Sequence, residues 1–559
     1  MFDPYVPDTF QPRLLNLPLL IRELESVASK AAISARWQPH VKAIQSEIAR
    51  VLASERPFLT GIPYLLWAAE AVCKKTLPEE IKEIAKTLTV HERRFQQLAQ
   101  SELQVAVAGL PQRKEAALRA LRRLATMAVN AGFREDDFLD LCEDGNFTRP
   151  ALDWVNDLIG RTDSSRKQNE RDYRCTFAIN ADAKLLATLA HKLRFQMEKP
   201  ESVPSALTDL APTASYVSIQ VRAKTPSEAL QLATRTVRPA LDIFNFYSRS
   251  YSLTMCADAL VTPTGTTPLL LKVGAQSLRK LPTRRSAPRL AARAVEEIMP
   301  RLLTGQILNA LEHYTLAQTS SAYRVKLVNL WGAMECLAIT PKGGTVMDRV
   351  QATTIPIVTW RRVDKITRYV ATTLTDWRTK GFATPLGPGF VAEGVVSAEE
   401  VLLALCRPDN HPDIDSLLRA VAPNPALRNR IFSLWKIFSD PDALLNDTLT
   451  SQQRTSWQLL RIYRARNLIV HYGEEVSNVP HLLDHLQYYF SLTLSRILDS
   501  LSSHEQWTVA DAVAHWTLRE GYLLHQLKHE PSTLRVRDFF PRPIRRLDEV
   551  LWPQVAASG

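Results

Sequence analysis

The stretch Tyr463-Arg464-Ala465-Arg466-Asn467-Leu468-Ile469-Val470-His471-Tyr472-Gly473 reads as the end of a long helix. The pattern predicts a helix from about residue 452 to residue 472, with Gly473 placed to terminate it. Asn467 and His471 are four residues apart and so share one face, with Arg466 flanking it. Ile462, Ala465 and Ile469 supply an apolar face elsewhere on the same helix, which puts the polar trio at the edge of the packing. A guanidinium stays charged and can stabilise negative charge developing on phosphate. An imidazole moves protons near neutral pH, and an amide can orient either partner. These are the groups needed to turn a ribose 2′-hydroxyl against its own phosphate without a metal. The same spacing also suits a purely structural alternative, in which a salt-bridged arginine and a histidine stabilise a helix C-terminus. Arg519 and His525 stand at a compatible separation and read as a chance pair.

Working outward, Leu327, Leu330, Trp331, Met334, Leu337 and Ala338 form one apolar helical stripe, broken by Gly343-Gly344. Ser397-Ala398-Glu399-Glu400 is a capping box opening a helix over residues 401–405. Residues 380–396 and 407–413, rich in Gly, Pro and Asp, read as loops. A further helix starts after Asn478 and Pro480 and runs toward Ser500. Two pairs, His481/His485 and His525/His529, each place two imidazoles one turn apart. A zinc site needs further ligands, and solvated helix faces are the better reading of both. The basic cluster Arg279, Lys280, Arg284, Arg285, Arg289 and Arg293 could guide RNA phosphates or be a solvated face. Arg535, Arg537, Arg542, Arg545 and Arg546 form a second run with the same two readings.

The first 165 residues read as consecutive helices over 14–29, 63–74, 78–100 and 114–130, punctuated at Pro57, Pro78 and Pro111. Residues 161–171 are polar throughout and read as a linker. The period then changes to two. Tyr173, Cys175, Phe177 and Ile179 alternate along one strand, and Val217, Ile219, Val221 and Ala223 along another. Residues 251–255 and 269–273 are weaker strand candidates. After the second strand Thr225-Pro226-Ser227-Glu228 opens a helix. Residues 172–275 therefore form a small α/β module.

The 559 residues are 45% hydrophobic and 23% charged, an ordinary globular balance with material for several cores. A formal charge of +11 favours a polyanionic partner but fixes neither fold nor reaction. Six scattered cysteines with no CxxC pair argue against a cysteine zinc site and suit a reducing cytosol. The beginning of the chain lacks the features of a signal peptide, and no apolar run has the length to span a bilayer. Walker A, dinucleotide-binding and nucleophile-elbow patterns are absent from the sequence. Together these readings give a mainly α, cytoplasmic protein.

The Arg466-Asn467…His471 segment resembles the signature of the HEPN superfamily, in which an Arg is followed four to six residues later by His, commonly with Asn directly after the Arg. The stripe around Trp331 and Glu335 resembles the first core helix of its ApeA-like branch, where Trp is followed at four residues by Glu. The resemblance covers roughly residues 300–500. It implies a helical bundle that pairs through its motif helices and cleaves RNA to a 2′,3′-cyclic phosphate, often as an anti-phage effector or toxin. By position it implies that Arg466 and His471 are catalytic, that Asn467 supports them and that Glu335 contributes. It further implies no cofactor and no metal, and a homodimer or higher oligomer. The separation of Glu335 from Arg466 is longer than the pattern calls for and must hold extra helices and loops. The expected organisation is a helical N-terminal region over 1–165 that responds to a phage-derived or other protein trigger, the α/β module, a HEPN-like ribonuclease domain over 276–530 and a basic tail over 531–559. The alternative is a non-catalytic HEPN-type module for dimerisation and RNA binding.

Overall fold

The computed structural model describes residues 16–110, 112–130, 156, 171–180, 195–223, 225–247, 254–265, 267–273, 305–320, 322–338, 344–379, 391–392, 395–407, 411–474, 476, 479–540 and 551–552. The protein is mainly α-helical, with one small antiparallel sheet of five strands. It divides into two compact units, one holding residues 12–278 and the other residues 279–320 and 324–559.

The first unit opens with α1 (Leu17–Ala31), α2 (Gln38–Leu59), α3 (Pro63–Lys74), α4 (Pro78–Thr89), α5 (Glu92–Ala108) and α6 (Lys114–Asn130). The sequence reading leaves out α2, although Val41, Ile44, Ile48, Val51 and Leu52 bury one helical stripe. Pro57, expected to break the chain, lies inside α2, which ends two residues later at Leu59. The helix expected over 78–100 is two helices. The Thr87 and Thr89 hydroxyls donate to the carbonyls of Ile84 and Lys86, both at 2.7 Å, and compete with the ladder just before the break at Val90-His91.

The sheet runs in the order β2-β3-β1-β4-β5, with β1 (Arg171–Asn180), β2 (Gln196–Glu198), β3 (Ser215–Ala223), β4 (Thr254–Pro263) and β5 (Leu269–Lys272). Its central strand β1 pairs antiparallel with both β3 and β4, setting Cys175 opposite Ile219 and Val261. The alternation read from the sequence is the packing. Tyr173, Cys175, Phe177, Ile179, Val217 and Val261 share one apolar core with Ala229, Leu230, Ala233 and Val237 of α7 (Pro226–Tyr247). Ala178, Tyr216 and Leu260 face the other way, toward Val203 and Leu207. The Glu228 amide donates to the Thr225 hydroxyl at 3.1 Å, capping α7 as the sequence predicts. Of the candidate strand at 251–255, the first three residues lie outside the described residues and the rest begin β4.

The second unit contains α8 (Gln306–Thr319), α9 (Tyr323–Leu337), α10 (Val346–Thr379), the two-residue strands β6 (Val391–Ala392) and β7 (Val395–Val396), α11 (Ala398–Cys406), α12 (Pro412–Ala420), α13 (Pro425–Phe438), α14 (Pro441–Tyr472), α15 (Val479–Ser503), α16 (Val509–His529) and α17 (Val536–Phe539). Helix α10 is the central strut and packs on α11, α14, α15 and α16. Trp360, Val363, Ile366 and Val370 from α10 meet Val401–Cys406 of α11, with Leu523, Phe539 and Phe540, in one core. Every residue of α11 is buried, and its Ser397 cap accepts from the Glu400 amide at 3.4 Å. Residues 531–540 and 551–552, expected in a basic tail, belong to this core. Leu534, Val536, Phe539 and Leu551 are buried, and the Trp360 indole donates to the Asp538 carbonyl at 3.0 Å. Helix α9 buries the stripe expected of it, from Leu327 to Leu337. A Cβ on its Gly332 would stand 3.2 Å from Nδ1 of His313 on α8, so a glycine at this position lets the two helices approach closely. Among the described residues no helix is long and apolar enough to cross a membrane.

Candidate functional site

Helix α14 begins eleven residues earlier than the motif alone suggests, because Asp440-Pro441 is itself a start signal. The Asp440 carboxylate accepts from the Asp442 amide at 3.0 Å. At the other end Gly473 adopts φ +62°, and the Glu474 amide returns to the Leu468 carbonyl at 3.2 Å. A side chain at 473 would strain this left-handed turn, so the glycine fixes where the helix stops and His471 in its last turn.

Within that turn the trio comes together. An Arg466 Nη1 proton goes to Oδ1 of Asn467 at 3.1 Å, and the same nitrogen lies 3.5 Å from Nε2 of His471. A guanidinium can only donate, so any hydrogen bond in the second contact has Nε2 as its acceptor. Arg466 and Asn467 are half-buried and His471 is exposed. The Arg466 Nε is buried and has no hydrogen-bond partner among the described residues. An idle buried donor costs about 1–3 kcal/mol. Ile462 and Ala465 are fully packed, as expected, whereas Ile469 is only half-buried near the helix end.

Glu335 has a different position. It accepts from the Trp331 indole at 2.6 Å, one turn back along α9. Trp331 is buried, and its ring lies 5.5 Å from that of Tyr463, one turn before Arg466. The Trp–Glu spacing that carried the family resemblance is thus an intrahelical hydrogen bond that holds the indole against the motif helix. No hydrogen bond or ion pair joins Glu335 to Arg466, Asn467 or His471. The six basic residues from Arg279 to Arg293, expected to contact RNA, lie outside the described residues, as do Arg542, Arg545 and Arg546.

Two features escape the sequence reading. Arg461 and Arg464, on the turns preceding the motif, are buried, so this part of α14 carries three cations within six residues. Their signal was the Arg-x-x-Arg-x-Arg spacing. The second feature is His485. Instead of standing on a solvated face it is half-buried, stacked beside Tyr489 at 6.4 Å. Burial, reinforced by the charges of His481, Lys365 and Arg461, holds its imidazole far below the usual range, at about 3. The neighbouring Tyr488, with the Lys365 ammonium 4.0 Å from its ring centre, is pushed up to about 12 by burial against the pull of Arg361, Arg362 and Arg496. His525 and His529 do lie on an exposed face, their rings 4.8 Å apart. Among the described residues no three His, Cys, Asp or Glu side chains gather as a metal site.

Comparison of the chain with protein-family models, with curated proteins and with solved structures finds no match.

Proposed function

We propose that the second unit is a metal-independent endoribonuclease whose reacting groups are Arg466 and His471, with Asn467 orienting the arginine. The contact between Arg466 Nη1 and His471 Nε2, made at the exposed end of α14, carries this reading. It places a fixed cation beside an imidazole on an exposed turn. In the proposed reaction His471 takes the proton of a ribose 2′-hydroxyl, and the 2′-oxygen forms a bond to the adjacent phosphorus. The bond from phosphorus to the 5′-oxygen breaks, leaving a 2′,3′-cyclic phosphate, and the departing oxygen takes a proton from a second acid. Arg466 stabilises the charge that builds on the non-bridging oxygens. One chain offers a single such imidazole, so the second acid is assigned to His471 of another copy and the active species to a dimer. Glu335 is a positioning residue that acts through Trp331. The role of a conditional toxin or defence effector triggered through the first unit rests on the family resemblance alone.

The test is cleavage of total cellular RNA by purified full-length protein and by Arg466→Ala. Loss of one such electrostatic contact is expected to slow cleavage by about 10²–10³. Loss of the proton carrier in His471→Ala is expected to slow it by roughly 10²–10⁴. Both side chains sit outside the core, so both variants are expected to keep their circular dichroism and gel-filtration profiles. Full specific activity in a monomer across a dilution series would remove the dimeric site.

A further inference from the structure

The outer face of α3 carries an arrangement that the core does not need. Leu65, Ala68, Ala69 and Val72 point inward and are buried. Tyr64 and Trp67, one turn apart on the opposite side, are 49% and 64% exposed. Tryptophan is rarely left this open to water, because its ring is among the largest apolar surfaces a chain can bury. The rings form a continuous platform. Tyr64 lies 6.0 Å from Trp67 and 5.1 Å from His91, which stands in the turn between α4 and α5. Val90, beside His91, is 78% exposed and extends the apolar surface.

Among the described residues, several cations near the platform in sequence stand without acidic partners. Lys74 falls seven residues after Trp67, on the same face of α3, and Arg94 falls one turn after His91. Lys74, Lys86, Arg93 and Arg94 are exposed, and no acid of the described residues pairs with them. The acids closest to the platform in sequence are engaged elsewhere: Glu70 with Arg56 at 2.8 Å, and Glu92 with Arg22. Glu79, Glu80 and Glu83 lie in the first half of α4, away from His91 but toward the Lys74 end of α3, where Glu80 pairs with Lys75 at 3.0 Å. An open aromatic surface edged by unpaired cations matches a chain of flat bases joined by phosphates, since every base offers a π-face and every linkage a negative charge. A duplex hides its bases and fits only the cations.

From this we infer that Tyr64, Trp67 and His91, with Lys74 and Arg94, form a binding platform for single-stranded nucleic acid in the first unit. The inference concerns the first unit alone and stands independently of the ribonuclease reading. The test uses the full-length protein and a fluorescein-labelled oligodeoxythymidylate, read by anisotropy. This probe lacks the 2′-hydroxyl, so the proposed cleavage cannot consume it. Trp67→Ala and Tyr64→Ala are expected to weaken binding roughly tenfold each through lost base stacking. Lys74→Glu and Arg94→Glu are expected to weaken it and to flatten its dependence on salt. Tyr522→Ala, an equally open aromatic on α16, is expected to bind as the wild type does. Unchanged circular dichroism checks the fold. Three results would overturn the inference: no binding by the wild type, wild-type affinity in both aromatic variants, or release of a co-purified protein by Trp67→Ala with oligonucleotide binding intact.

Discussion

Two Arg–His pairs of nearly equal spacing have opposite surroundings. Arg466 and His471 end one helix with their side chains in contact, on a surface where the imidazole is open to solvent. Arg519 and His525 share another helix but not a site. The Arg519 guanidinium sits 4.5 Å from the Trp360 ring and 5.5 Å from that of Trp516, inside the junction of α10 with α16. His525 faces water beside His529. The first arginine has an unused buried donor and a basic partner, whereas the second is a cation that fastens two tryptophans. Spacing therefore says little about chemistry until the packing of each side chain is known.

The largest expected effect breaks the symmetry between the pairs. Arg466→Lys keeps the charge but not the planar fork, so its cleavage rate is expected to stay near that of Arg466→Ala, about 10²-fold or more below wild type. Recovery to within a few-fold would mean that charge alone suffices. Next comes the support of the first pair. Trp331→Ala removes a fully buried indole and its contact with Tyr463, and is expected to cost about 3–5 kcal/mol in urea unfolding of this unit. A loss below 1 kcal/mol would show that α9 does not hold the motif helix.

Arg519→Ala is expected to destabilise by about 2 kcal/mol, the value of a desolvated cation over aromatic rings, while the folded protein keeps its cleavage rate. A folded Arg519→Ala with activity as low as Arg466→Ala would make the two pairs equivalent. Glu335→Gln still offers an oxygen to the Trp331 indole and is expected to cleave RNA within a few-fold of wild type. A loss as deep as that of His471→Ala would assign Glu335 to the reacting groups.

A pH measurement sharpens the contrast between buried and open imidazoles. His485 has a folded-state value of about 3 against an ordinary 6.5, so below pH 6.5 the unfolded chain binds the extra proton first. Its contribution to stability is complete above that pH and is lost progressively as pH falls toward 3. In His485→Leu the acid side of the stability profile is expected to flatten over that window. Identical profiles in the variant and the wild type would show that His485 is not held neutral by the fold.

How much of this was legible in the sequence depended on whether a segment is buried on one side or on several. The strands around Tyr173 and Val217 pack one face against α7, so their alternation was visible, and the cap at Thr225 marked the helix that follows the second of them. The end of α14 was equally plain, because only a glycine suits the turn at 473. Helix α10 was not. It lies among four other helices and buries Thr354, Arg362, Asp364 and Thr367 along with its apolar residues, which erases the stripe. Its polar groups are met partly within the helix, as where the Thr367 hydroxyl donates to the Val363 carbonyl at 3.0 Å, and partly from afar, as where Arg362 reaches Asp447 at 2.9 Å. The trio Arg466, Asn467 and His471 could be read from helical spacing, but the bond that ties Glu335 to Trp331 needed the side-chain geometry. The polar character of Arg519 likewise gave no sign that it lies against two rings.

The central claim meets its most direct test in the ends of cleaved RNA. Purified full-length protein is incubated with a defined RNA in excess EDTA, and the products are probed for 2′,3′-cyclic phosphate and 5′-hydroxyl termini. The account predicts both termini from the wild type and from His525→Ala, and neither from His471→Ala. Cleavage that appears only with added magnesium, or that continues unchanged in folded His471→Ala, would contradict it.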